Sequence, residues 1–411
     1  MKPLHTGNLF WPTTLNNPTE YKPLSNHIRV NTAIVGGGMS GSIIGYLFAT
    51  SGISTAILER DEVAGGSTAA NTGLLQFSND IMLCDLIDQI GAHDAIQFYK
   101  ACRSAVNQLA KIAEQLPDDV GFRARNSLYY ASTEQDLPHL IKEYETLQSN
   151  GFDVSFWGPD EIAKLFPFRK PGAIVTRGDA EVNTFQFVQA VAVAAHEAGL
   201  QIYEQTEVIT HEKPESGIHR LRTSDGYEIE AENVIYAIGY EPEELRNQLI
   251  KADINRSFVA VSGRQSEDNL RQWHERYLIW ETARPYLYMR TTLEGRVIIG
   301  GLDEDNAEPV EGEQSRHQRT DKLYEKLLAH FPMLDAPIEF EWSGTFGESR
   351  DHLPFIGEDP SSPGVYYALG YGGNGSVYSM IAAYLLRNLI NGEKHPLTSI
   401  VRLDRPSLLK A

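Results

Sequence analysis

From residue 30 to residue 58 the chain carries no charged side chain, yet six glycines interrupt that stretch. Length and apolarity alone would suit a membrane span. The glycines and the break at Ser51-Gly52 suit a strand, a tight turn, a helix and a second strand better. The turn is Gly36-Gly37-Gly38-Met39-Ser40-Gly41, which fits the spacing G-x-G-x-x-G. Its context gives the spacing weight: an apolar strand at 32–35, a helix at about 40–50, a strand at 55–58, then Glu59. Gly36 permits the tight turn, Gly38 leaves the backbone open to a pyrophosphate, and Gly41 lets the helix lie close to the sheet. Met39 and Ser40 open a helix whose N-terminus offers unpaired N–H groups and a positive dipole end. Glu59 is placed to accept hydrogen bonds from a ribose. The stretch therefore reads as a dinucleotide-binding βαβ unit.

A chain of 411 residues is long enough for two intertwined domains. At 42% hydrophobic and 22% charged it has an ordinary globular composition. A formal net charge of −19 without any run of Lys and Arg argues against nucleic-acid binding, which needs a basic footprint. Cys84 and Cys102 are too few for a zinc cluster or a disulfide framework. Set among apolar neighbours in a helical stretch, they read as buried thiols of a reducing compartment. Residues 1–24 are rich in Pro and Asn and lack the apolar segment of a secretory signal. The expectation is a cytoplasmic protein with no membrane span.

Further along, residues 1–27 read as an irregular arm. Glu59-Arg60 is followed by Gly65-Gly66-Ser67-Thr68-Ala69-Ala70-Asn71-Thr72-Gly73, a loop of small residues and hydroxyls. It suits an extended ligand, with Ser67 or Thr68 near a pyrophosphate and the backbone of 71–73 near a ring; a plain surface loop is the other reading. Two helices follow. In the second, Cys102, Val106, Leu109, Ala113 and Leu116 form one stripe at steps of three and four. Strands are expected at 127–131, 201–209, 234–238 and 365–369. Helices are expected at 137–148, 184–197, 320–330 and from the late glycine loop to about 391. A turn is expected at 178–181 and a hairpin about Asp225-Gly226. Residues 256–302 are rich in β-formers and aromatics and suggest an antiparallel sheet.

With these pieces in order the chain resembles the FAD-dependent oxidoreductases of the D-amino-acid oxidase superfamily, the group of glycine oxidase, monomeric sarcosine oxidase and γ-glutamylputrescine oxidase. The resemblance runs from about residue 28 to 391. It rests on residues 35–41, Glu59-Arg60, the 65–73 loop, Glu207-Val208, Ala237-Ile238-Gly239, Leu353-Pro354-Phe355-Ile356-Gly357 and Gly370-Tyr371-Gly372-Gly373-Asn374-Gly375. It implies an α/β fold. A Rossmann-type FAD-binding domain would be assembled from residues 1–95, 165–250 and 340–411. A mostly antiparallel β-sheet substrate domain, flanked by helices, would come from 96–164 and 251–339. FAD would lie extended, with the Val208 backbone at the adenine and the late glycine loop at the flavin's pyrimidine end. Gly66, Asn71, Thr72, Gly73, Leu74, Ala237, Gly239, Gly344, Gly372, Gly373, Asn374, Gly375 and Ser376 join the cofactor set with Gly36, Gly38, Met39, Ser40, Gly41, Glu59, Arg60, Ser67, Thr68 and Val208. Covalent relatives use a cysteine in the C-terminal half, where this chain has none, so the FAD is expected to be non-covalent.

The late loop also fits G-x-G-x-x-G between a strand and a helix, which raises a separate NADPH site. No second strand ending in an acid follows; the chain runs instead into Asn391-Gly392-Glu393-Lys394-His395-Pro396. A helix N-terminus that stabilises the negative N1–C2=O edge of a reduced flavin is the better role.

Relatives that oxidise α-amino acids hold the carboxylate with a cation. The matching positions here are Phe346, after Trp342-Ser343-Gly344-Thr345, then Gly373 and Val377, and none is charged. An unpaired carboxylate in a closed apolar pocket is costly. A small amine other than a simple α-amino acid is therefore expected as substrate. Its C–N bond would be oxidised by hydride-equivalent transfer to flavin N5, and the imine then hydrolysed. Oxygen would be the acceptor, or, in a dehydrogenase, a quinone or carrier protein; a flavin sensor without turnover is the reading of another class. Tyr286, Tyr288 and Arg290 share a strand face if the strand is regular. With Phe346 and Tyr371 they are the substrate-pocket candidates: aromatic rings for an amine, Arg290 for a distant acid group. Arg350-Asp351-His352 could also border the pocket, but a solvated turn is the better reading. The twelve histidines are scattered and no metal cluster is visible.

Overall fold

The computed structural model describes residues 3–212, 217–240, 250, 252–306 and 312–409. The charge-free stretch forms strand Ile28–Val35, helix Met39–Thr50 and strand Thr55–Leu58. These two strands lie parallel at the centre of an eight-stranded sheet. On one side of Thr55–Leu58 comes Gln201–Tyr203, parallel to it. On the far side of Ile28–Val35 come Glu228–Tyr236 and Val365–Leu369, both parallel, and then Phe355–Glu358, antiparallel, at the edge. Thr55–Leu58 and Val365–Leu369 are buried at every position, as strands of a sheet covered on both faces are. Helices Met39–Thr50, Thr184–Glu197 and Gly375–Ile390 pack together against this sheet. On its other face Leu24, Leu403 and Leu408 join the core with Leu221 and Ile229.

The second sheet has ten strands. In spatial order they are His5–Asn8, Ile338–Ser349, Ala252–Ser262, Val297–Glu304, Leu287–Thr291, Leu278–Glu281, Arg123–Tyr130, Ala173–Glu181 and Leu74–Leu75, with Val154–Trp157 also paired to Ala173–Glu181. Strand alternation gives this sheet two faces. Phe258, Ala260, Ile299 and Met289 pack with Leu323 and Leu327 of helix Glu313–His330. Ser257, Val259 and Tyr288 point the other way, into a cavity.

Several expectations change. Part of the N-terminal arm is regular, because His5–Asn8 pairs with Glu341–Gly344 as an edge strand. Residues 178–181 are not a turn. They continue strand Ala173–Glu181 past a register shift opposite Arg125 and Ser127, which the positive φ of Gly178 absorbs. The strand expected at 201–209 is two, Gln201–Tyr203 and Val208–Glu212, parted by Gln205 at φ 48°. The 65–73 loop contains a helical turn, Ser67–Ala70. Residues 256–302 include two short helices, and Leu278–Glu281 runs parallel to Arg123–Tyr130. The domain boundary read at 250/251 adjoins 241–249 and 251, which lie outside the described residues. Among the described residues no helix is long and apolar enough to cross a membrane.

Candidate functional site

A cavity of about 950 Å³ lies between the two sheets, within the size range of ligand sites. At one end is the first glycine turn. Gly36 has φ +107°, and a Cβ there would lie 2.5 Å from the Ala237 carbonyl. Gly41 packs directly on the Gly36 carbonyl, so the helix can start against the strand. A Cβ on Gly38 would meet only the Thr68 hydroxyl, at 3.2 Å, and otherwise project into the cavity. That hydroxyl accepts a hydrogen bond from the Met39 amide at 2.9 Å. The neighbouring Ser67 Oγ is buried, lines the cavity and has no hydrogen-bond partner. Glu59 accepts from the Gly37 amide at 2.7 Å and the Asp61 amide at 2.8 Å. Burial pushes its carboxyl up, and those two donors pull it back. An orphan hydroxyl, an open glycine and a helix N-terminus form a cradle that fits the phosphates of a dinucleotide.

The 65–73 loop is clamped from outside. Trp11 Nε1 donates to the Asn71 carbonyl at 2.5 Å and Trp342 Nε1 to the Ala70 carbonyl at 3.0 Å. The His5 ring nitrogen lies 3.2 Å from the Gly65 carbonyl. The arm, which carried no role in the sequence, thus helps to fix the loop.

At the other end the walls are aromatic and acidic. The register sets Trp280 opposite Tyr288 and Tyr288 opposite Gly300. The Tyr288 ring lies where a Cβ of Gly300 would be, so this glycine makes room for it. Trp280 stacks on Tyr129 at 3.7 Å between centroids. Asp80 accepts from the Gly373 amide at 2.5 Å and from the Tyr286 hydroxyl at 3.3 Å. Opposite Ser257 the strand Val297–Glu304 has one residue too many, with Leu302 at φ 56°, and Asp303 comes to line the cavity. Asp303 Oδ1 is buried without a hydrogen-bond partner. Burial first, then the nearby carboxylates of Asp80 and Glu348, push its carboxyl up to about 6 against the Ser257 hydroxyl bond and Arg284.

Nearly all the residues singled out in the sequence meet here. Of the cofactor set only Gly41 and Gly73 do not face the cavity; of the substrate set Tyr286, Tyr288, Phe346 and Tyr371 do, and Arg290 does not. Arg290 shares the Tyr288 face but is buried under the 72–73 segment. Its Nε donates to the Thr72 carbonyl at 2.7 Å and its Nη2 to the Val182 carbonyl at 2.9 Å; Nη1 is 3.3 Å from Glu181. Its guanidinium lies 5.1 Å from the Trp11 ring. Arg290 is a structural cation and is not available to a substrate acid. Residues 350–352 form a turn that does not line the cavity; Arg350 is exposed, but Asp351 is buried in a two-point pair with Arg405 at 2.6 Å.

The uncharged positions have physical occupants. Gly373 is crowded by Asp80 and Tyr286, with a Cβ there 2.7 Å and 3.0 Å from their oxygens. Val377 is buried in helix Gly375–Ile390, and Phe346 faces the cavity. Among the described lining residues the sole arginine is Arg60 and the sole histidine His5, both at the glycine end, and none is a lysine. Sequence reading missed Asp80, Asp303, Trp280 and Ser257. Only Asp303 had a local sign, the Gly300-Gly301 pair just before it.

A family model described as FAD dependent oxidoreductase matches residues 31–389. Glycine oxidase of Bacillus licheniformis is 25% identical over 379 residues, covering 89% of this chain and 94% of the relative. Gamma-glutamylputrescine oxidoreductase of Escherichia coli is 23% identical over 406 residues, covering 95% and 90%. The crystal structure of glycine oxidase from Geobacillus kaustophilus superposes with a TM-score of 0.78 at 23% identity, over 91% of this chain and 98% of that one, which shows the shared fold. Together with the glycine cradle, the family match over most of its length makes this chain a member of the FAD-dependent oxidoreductase family.

Proposed function

We propose that the protein oxidises a C–N bond of a small amine that carries no carboxylate next to the reacting carbon. The observation that carries this reading is the make-up of the substrate end: two carboxylates, a set of aromatic rings and no lining cation among the described residues. A carboxylate substrate group there would meet Asp80 and Asp303 instead of a partner, and like charges at short range repel strongly in a desolvated site. An amine meets rings and negative charge, both favourable to it. Both kinds of relative are compatible with the family, since their names cover an amino acid and an amine derivative.

Bound FAD would supply the hydride acceptor. The cofactor would be held by Gly36, Gly38, Met39 and Ser40 at the phosphates, Glu59 at the adenosine ribose, and the 65–72 and 372–376 loops along its length, in a domain built from 1–95, 165–250 and 340–411. The remaining segments, 96–164 and 251–339, would carry the substrate wall. Neither Cys84 nor Cys102 lines the cavity, which supports non-covalent attachment. Phe346, Tyr240 and Tyr371 line the cavity with Gly372 and Gly373 and pack ring to ring, which would limit water beside the reacting bond. An anaerobic panel of amines, read by flavin absorbance, tests the reading. Butylamine-like compounds are expected to bleach the flavin; glycine, sarcosine and D-alanine are expected to do so poorly. Admitting air then separates an oxidase, which recovers its colour at once, from a dehydrogenase. No bleaching by any amine would favour a sensor.

A further inference from the structure

We infer that Asp303 anchors a second, non-reacting ammonium group, so that the preferred substrates are diamines or longer polyamines. This rests on the reading that the acidic end of the cavity receives an amine, and it goes further by assigning the acid a partner. A nitrogen whose neighbouring carbon gives up a hydride equivalent must have its lone pair free. A carboxylate touching that nitrogen would hold its proton in place. The carboxylates therefore serve a nitrogen that stays charged throughout. Asp80 is already engaged, one oxygen by the Gly373 amide and the other by the Tyr286 hydroxyl. Asp303 has the Ser257 hydroxyl beside it, but its Oδ1 is buried without a hydrogen-bond partner, and the residue lines the cavity. A buried carboxylate oxygen left without a donor is costly. An ammonium group brings up to three donors and the opposite charge. Trp280, Tyr286 and Tyr288 line the same end and offer π faces to the same cation. The competing tail would be a carboxylate directed to Arg284. That residue is exposed, is not part of the cavity wall, lies 4.7 Å from the Tyr286 ring and donates to the Asp80 carbonyl at 2.9 Å.

The test compares diaminobutane, butylamine and aminobutyrate as substrates of the FAD-loaded enzyme, in the wild type and in Asp303→Asn. A charge-assisted contact predicts a KM for diaminobutane at least about tenfold below that for butylamine, and loss of that advantage in Asp303→Asn. Equal KM values in the wild type, or an advantage that persists in the variant, overturn the assignment while leaving amine oxidation standing. A lower KM for aminobutyrate than for diaminobutane overturns it in favour of Arg284. If no amine reduces the flavin, the proposed reaction fails, and the anchor is judged by calorimetry on the holoprotein. Binding of diaminobutane to the wild type that Asp303→Asn abolishes upholds it; no binding to the wild type overturns it.

Discussion

At the glycine end of the cavity the protein presents donors: backbone amides at a helix start and the Ser67 hydroxyl. At the other end it presents acceptors: the carboxylates of Asp80 and Asp303 among aromatic rings. One end suits anions and the other suits cations. The difference extends to how they are built. The donors come from residues 36–40 and 66–68, held by local backbone geometry. The acceptors come from Asp80 and from strands paired across the ten-stranded sheet. Phosphate binding can be delivered by a short stretch of backbone, whereas a polar substrate wall has to be assembled from side chains that converge from far apart.

If the two ends are separable, substitutions at each should fail differently. The largest effect is expected for Gly38→Val. A branched side chain would project into the cradle, and flavin binding should weaken by more than about a hundredfold, beyond the 2.7 kcal/mol such a factor represents. Flavin per polypeptide after gel filtration measures it, and full occupancy would break the assignment of the cradle.

Asp303→Asn should leave flavin in place and raise stability. The folded-state carboxyl sits at about 6, above the ordinary carboxylate value of about 3.9. The native state thus binds more protons than the unfolded chain in that window, and the wild type loses stability as pH rises from about 4 to about 6. The variant's advantage should be full above pH 6, up to about 3 kcal/mol, and absent below pH 4. Denaturant midpoints across pH check this; a destabilised variant at neutral pH would show that Asp303 is a structural acid.

Glu59→Ala removes the proposed ribose acceptor and the bonds to the Gly37 and Asp61 amides. Flavin affinity should fall roughly tenfold to a hundredfold without being abolished, since a bond to a charged acceptor is worth about 1.5–3 kcal/mol. Trp11→Phe should be milder. It deletes the donor to the Asn71 carbonyl, and a loss of about 1 kcal/mol, roughly fivefold in flavin affinity, is expected. Fluorescence titration of the apoprotein with FAD reads both.

The same contrast decides what the sequence could tell. The strand at 55–58, the helix at 184–197, the strand at 365–369 and the glycine turn were legible, because each is fixed by short-range periodicity or by a φ that only glycine adopts easily. The Tyr286 and Tyr288 face was legible from alternation. Arg290 obeyed the same alternation and still misled, since alternation gives a face but not what lies over it; here Thr72, Val182 and Glu181 do. Asp303 reaches the cavity through a bulge, and Asp80 through contacts with Gly373 and Tyr286 made only in the folded chain. The Gly300-Gly301 pair hints at the bulge, but no local pattern places either carboxylate in the cavity.

The central claim is that the substrate end selects an amine and rejects an adjacent carboxylate. The most direct measurement is the rate of anaerobic flavin bleaching by butylamine relative to glycine, in the wild type and in Phe346→Arg, which puts a cation on the cavity wall. The account predicts a strong preference for butylamine in the wild type and a shift toward glycine in the variant. Bleaching of the wild type by glycine as fast as by butylamine would contradict it.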